Sequence, residues 1–145
     1  MSTAWGLTID CARPRELAAF WALALGYIEP PPPEGFASWE AWAAEQGVPE
    51  DECDDGAYLV DPTGTAPGPS FLRVPEPKTV ENRVHVDLKV SGGRNQPADL
   101  RRNRIETVVD RLVAAGAAVQ RRDEINGKLD HVVMTDPEGN EFCVV

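Results

Sequence analysis

Residues 5–11, Trp-Gly-Leu-Thr-Ile-Asp-Cys, alternate: Leu7, Ile9 and Cys11 fall on one side, Gly6, Thr8 and Asp10 on the other. A period of two is the mark of a half-buried strand. After Pro14, a residue suited to the first helical turn, the period changes. Leu17, Phe20, Trp21 and Ala24 recur at i, i+3, i+4 and i+7 as one apolar stripe. Gly26 then predicts a left-handed helix end. Tyr27-Ile28-Glu29 predicts a short strand, stopped by the prolines at 30–33. Helical spacing returns over 36–46 with Phe36, Trp39, Trp42 and Ala43, and Gly47 and Pro49 stop it. Five acids follow between Glu50 and Asp55. They lack the alternating ligands and in-register glycine of a calcium loop, so they predict a solvated loop. Ala57–Val60 and Phe71–Val74 predict strands.

The second half repeats this order. Val84, Val86, Leu88 and Val90 alternate with His85, Asp87 and Lys89, predicting a strand. Ile105, Val108, Val109 and Leu112 predict a helix that Gly116 ends. Ala118–Arg121, His131–Thr135 and Glu141–Val145 predict strands, the first two joined through the hairpin pair Asn126-Gly127. Leu59-Val60-Asp61-Pro62-Thr63-Gly64 matches Met134-Thr135-Asp136-Pro137-Glu138-Gly139 in place and type. Each carries Pro at the second and Gly at the fourth position of a turn. One D-P-x-G means little; two in equivalent places predict a duplicated βαβββ module.

The expected fold is therefore α+β. Two βαβββ modules form a curved, mostly antiparallel mixed sheet with a concave cavity. The chain reads as one domain over 1–145: module one at 1–75 with an insertion at 30–55, a linker at 76–81, and module two at 82–145.

Charge and composition narrow the partners. A net charge of −10 argues against nucleic acid and anionic membrane surfaces. The longest uncharged apolar stretch, Leu17–Ile28, is too short to span a bilayer, and Met1–Trp5 lacks the basic start of a signal peptide. Cys11, Cys53 and Cys143 form no CxxC pair, which points to a reducing, cytoplasmic setting rather than a disulfide framework.

Three segments carry a family resemblance: Leu7–Cys11 with Leu17–Trp21, Asn82–Leu88, and His131–Met134 running through Asp136-Pro137-Glu138-Gly139 to Cys143. They resemble glyoxalase-like proteins of the vicinal oxygen chelate superfamily, which includes bleomycin-resistance proteins and extradiol dioxygenases. The resemblance implies a divalent metal held by one residue near the start of each module's first strand and one from each last strand. His85 occupies one such position, but Gly6 and Leu72 occupy two others, and Cys143 stands where a glutamate is expected. No metal site and no cofactor are therefore expected, with His85 as the one residue able to anchor a metal. Homodimers are common among the proteins it resembles, so a homodimer is a possible assembly, with exposed strand edges able to pair across a two-fold axis.

Two functions remain open. The first is a small-molecule-binding protein without catalysis, its pocket drawn from Trp5, Trp21, Trp39, His85, Asp87, His131 and Cys143. The second is a lyase or isomerase acting on a small carbonyl compound, with His85 and Glu141 as catalytic pair, metal-free or with a reduced metal site. Strand parity places His85 with Asp87 and Glu141 with Cys143; a His-activated Cys143 thiolate is a further option. Each residue also has a plain structural reading: His85 as a core histidine, His131 as a tie at a strand start, Cys143 as a small buried hydrophobe, Trp39 and Trp42 as helix packing.

Overall fold

The apolar alternation and stripes fold as their periods require. In the computed structural model, which describes every residue except Met1 and Thr3, the chain divides into two compact units, residues 1–77 and 78–145. The architecture is α+β, with the strands shared between a three-stranded and a four-stranded mixed sheet.

In the first unit, β1 (Leu7–Cys11) turns its odd residues inward, ending on buried Cys11. Helix α1 (Pro14–Leu25) opens on Pro14 and buries Leu17, Ala18, Phe20 and Trp21. It closes at Gly26, whose φ of 71° is left-handed and whose N–H reaches the Ala22 carbonyl. The strand expected at 27–29 is reduced to one antiparallel bridge, Ile28 to Val60. Two hydrogen bonds make it, Ile28 N–H to the Val60 carbonyl at 3.1 Å and Val60 N–H to the Ile28 carbonyl at 2.8 Å. Pro30, Pro31, Pro32 and Pro33 follow at once, and a residue without an N–H cannot extend a ladder.

The inserted segment holds α2 (Trp39–Glu45), capped by Ser38, whose hydroxyl accepts the Ala41 N–H at 3.1 Å, and a single 3₁₀ turn at Glu50–Glu52. Strands β2 (Gly56–Tyr58) and β3 (Pro69–Arg73) complete the unit. β3 lies centrally, parallel to β1 and antiparallel to β2, with Ile9 in register with buried Phe71.

The second unit runs β4 (Asp87–Leu88), α3 (Ala98–Ala114), β5 (Ala118–Ile125), β6 (Lys128–Thr135) and β7 (Glu141–Val144). Its strand order, β4-β7-β6-β5, matches β1-β3-β2 followed by the Ile28 bridge, with the parallel pair in the same place. Ile105, Val109 and Leu112 on α3 and Val132, Met134, Phe142 and Val144 on β6 and β7 are shut off from solvent and form the core. The strand expected over 84–90 is regular only at Asp87–Leu88, and Val84 is 71% exposed. Single hydrogen bonds continue the pairing, from Cys143 N–H to the Val86 carbonyl and from Val90 N–H to the Val145 carbonyl. Conversely β5 is twice the expected length. The Asn126-Gly127 turn, with φ of 53° and 70°, carries it straight into β6.

The duplicated turns coincide in detail. Gly64 N–H reaches the Asp61 carbonyl at 2.9 Å, and Gly139 N–H reaches the Asp136 carbonyl at 2.9 Å. Each aspartate carboxylate also accepts the N–H two residues on, from Thr63 and Glu138, at 2.9 Å.

Candidate functional site

Each unit carries a concavity among its described residues. The first is a cleft of about 520 Å³, in the range of about 300–1,000 Å³ usual for small-molecule sites. Three pieces of chain wall it. Arg15 on α1 and Gly56–Tyr58 on β2 belong to the module, while Trp39, Trp42, Ala43, Val48 and Glu52 belong to the inserted segment. The insertion that interrupts the module thus builds one side of its cleft.

The aromatic wall is fixed. Trp39 donates its indole N–H to the Pro30 carbonyl at 2.8 Å. Trp42 meets Trp39 edge to face, with ring centroids 5.6 Å apart and planes at 81°, the arrangement that aromatic quadrupoles favour. Tyr58 is 57% exposed beside them. At the rim, the Arg15 guanidinium pairs with Asp54 at 2.6 Å and stands 3.8 Å from Glu40. The Glu40 carboxyl is held below its usual value, first by its own backbone N–H, then by the Ser38 hydroxyl.

The second concavity, about 350 Å³, is lined by Asp87, His131 and Cys143 together with Ser91, Arg94, Arg101 and Asp130. Asp130 is its centre. Its carboxylate takes two parallel bonds from Arg94, at 2.8 and 2.9 Å, and one from His131 Nδ1 at 3.0 Å. The hydrogen bond from Arg94, outweighing burial, and then His131 hold Asp130 well below the usual carboxylate range. The buried Arg101 guanidinium reaches the Asp130 carbonyl at 3.3 Å and its carboxylate at 3.5 Å, and Arg101 Nε is buried without a partner among the described residues. His131 Nε2 lies 2.9 Å from Asp123, so both ring nitrogens face a carboxylate. Burial first, then the charge and hydrogen bond of Asp87, push the Cys143 thiol up.

The residues singled out from sequence are thus distributed. Asp87, His131 and Cys143 meet in the second concavity, and Trp39 lines the first. Trp21 is buried core, in edge contact with Phe20. Trp5 is 69% exposed. His85 is exposed, its Nε2 3.1 Å from the Asn82 carbonyl, and lines neither concavity. Glu141 also lies outside both. Against burial, which raises its pKa, the Asn82 N–H at 2.8 Å and the Lys78 ammonium at 2.9 Å hold its carboxyl low. Among the described residues, no three His, Cys, Asp or Glu side chains gather as a metal ion would need. Also among them, no helix is long and apolar enough to cross a membrane.

Arg94, Arg101 and Asp130 went unremarked in the sequence. One signal was present: Arg101 stands four residues before Ile105, on the apolar stripe of α3, where a charge requires a buried partner. Nothing comparable marks Asp130 or Arg94.

Comparison with known proteins follows the fold. A family model described as "Glyoxalase-like domain" matches residues 6–145. No curated protein matches the chain. Among solved structures, a hypothetical protein from S. aureus is similar with a TM-score of 0.60 at 15% identity, over 99% of this chain and 93% of that one. A glyoxalase/bleomycin resistance protein/dioxygenase family enzyme from Burkholderia phytofirmans PsJN gives 0.59 at 15%, over 95% and 93%. A mutant of the fosfomycin resistance protein FosX from Listeria monocytogenes, complexed with Mn(II) and 1S,2S-dihydroxypropylphosphonic acid, gives 0.61 at 10%, over 99% and 89%. At such identities the likeness is one of fold.

Proposed function

The chain belongs to the glyoxalase-like domain family, and from that premise we propose that it binds a small organic molecule in the aromatic cleft of its first unit, without transforming it. The observation that carries this reading is the fixed Trp39–Trp42 wall over a cleft of about 520 Å³. Rigid aromatic side chains supply contact area with little ordering cost on binding.

The polar groups elsewhere favour holding over chemistry. A general base must lie near its substrate, yet Glu141 lines neither concavity and is held by Lys78 and Asn82, and both ring nitrogens of His131 face carboxylates. A nucleophilic thiol needs a lowered pKa, and that of Cys143 is raised. These observations weigh against a lyase or isomerase working through His85 and Glu141. The donor set does not fit the family's metal either: the described residues gather no three ligand-type side chains, and the reading takes binding to proceed without one.

The test is a thermal-shift screen of aromatic compounds with and without Mg, Mn, Zn and Ni, on the wild type and Trp42→Ala. A ligand at a hundred times its Kd stabilises the native state by about 2.7 kcal/mol. The expected result is metal-independent stabilisation that Trp42→Ala abolishes. Stabilisation that requires a divalent metal and survives Trp42→Ala would overturn the proposal.

A further inference from the structure

The geometry points to the chemical class of that ligand: an organic cation with a flat apolar body, its charge drawn to the Glu29 and Glu52 carboxylates and its body laid against Trp42 and Tyr58. This inference rests on the cleft being a binding site and adds the sign of the charge.

Charge balance is the first observation. Three glutamates, Glu29, Glu40 and Glu52, line the cleft against a single arginine, Arg15. That arginine is already engaged, by Asp54 at 2.6 Å and by Glu40 at 3.8 Å. The carboxylates of Glu29 and Glu52 are exposed and have no hydrogen-bond or ion-pair partner among the described residues. Apolar walls beside such charges concentrate their field in the cleft. The local imbalance extends that of the whole chain, whose net charge is −10.

The second observation is the kind of surface offered. The Trp39 N–H is committed to the Pro30 carbonyl, so Trp39 offers ring surface rather than a hydrogen-bond donor. Tryptophan faces attract cations. An anion entering the same cleft meets no uncommitted cationic side chain among the lining residues. The volume suits a bicyclic or tricyclic body.

The experiment compares three probes of one shape by isothermal titration calorimetry at mildly basic pH: N-methylquinolinium, uncharged 2-methylquinoline and naphthalene-2-carboxylate. Wild type is set against the double variant Glu29→Gln/Glu52→Gln, whose sites are exposed, and against Trp42→Ala and Tyr58→Ala. The cation is expected to bind roughly tenfold tighter than the neutral probe, and the double variant to erase that margin. Added salt should weaken the cation alone. Equal binding of the neutral or anionic probe, or a cation affinity indifferent to the glutamate change, would overturn the charge inference and leave the binding site standing. If no probe binds, or all bind as well to both aromatic variants, the cleft reading falls and this inference with it.

Discussion

Asp87 and Cys143 stand in register across the parallel β4–β7 pair, and the charge of the Asp87 carboxylate adds to burial in holding the Cys143 thiol pKa up. A nearby anion and burial both disfavour the thiolate, the reactive form. In kinetic labelling with a thiol reagent, half-buried Cys53 should therefore react first and Cys143 slowly. Asp87→Asn should speed Cys143 labelling several-fold. An unchanged rate would show that the pair is not coupled.

Asp130 makes a larger claim on stability. Its carboxyl pKa is depressed in the folded protein. Its contribution is therefore complete above the unfolded aspartate value of about 3.9 and is lost as pH falls through the lower folded value. Asp130→Asn should cost roughly 3 kcal/mol at neutral pH, because Arg101 is left buried without its counter-ion. The variant should also show a flatter loss of stability in acid. Urea unfolding from neutral to acidic pH tests both, and parallel curves for variant and wild type would exclude the linkage.

Gly68 is a position with no room. A Cβ there would land on the main-chain carbonyl of Leu59, whose own N–H bonds the Pro69 carbonyl at 3.0 Å. Gly68→Ala should cost roughly 3 kcal/mol, whereas Gly6→Ala, with nothing within 4 Å of its Cβ, should change stability by less than about 0.5 kcal/mol. Thermal denaturation of the two variants distinguishes them, and equal midpoints would refute the packing account.

The paired turns offer an internal comparison. Asp136 is buried and accepts from the Glu138 and Asn140 N–H groups and the Asn140 amide, whereas Asp61 serves Thr63, Thr65 and Ala66 in solvent. Asp136→Ala should cost about 2 kcal/mol by stranding part-buried donors. Asp61→Ala should cost less, because water reaches the donors it leaves. The reverse order in chemical denaturation would contradict this.

Much of the architecture was legible because burial imposes a period. Leu17, Phe20 and Trp21 on α1, and Ile105, Val109 and Leu112 on α3, are inward positions that the sequence spacing alone identifies. Alternation is a weaker guide to pairing. Val84 and His85 continue the period of β4, yet Val84 is exposed because a pattern of side chains does not specify whether a neighbouring backbone is present to bond. The cleft was the least legible part. Trp39 and Trp42 show the spacing of any packed helix, and only the fold places them on a cleft wall rather than in a core. Asp130 and Arg94 come together from positions 36 residues apart, with no periodic signal.

The Ile28–Val60 bridge bears on how a protein with the proposed binding cleft would change its ligand. Two hydrogen bonds close the excursion that carries Trp39, Trp42 and Glu52, while the β1–β3 pairing and the α1 core lie outside it. If the cleft binds as proposed, part of what sets its specificity therefore lies on a stretch of chain apart from the α1 core, joined to it at a clasp. Grafting a different segment between residues 30 and 55 should alter what is bound while leaving the melting temperature nearly where it was.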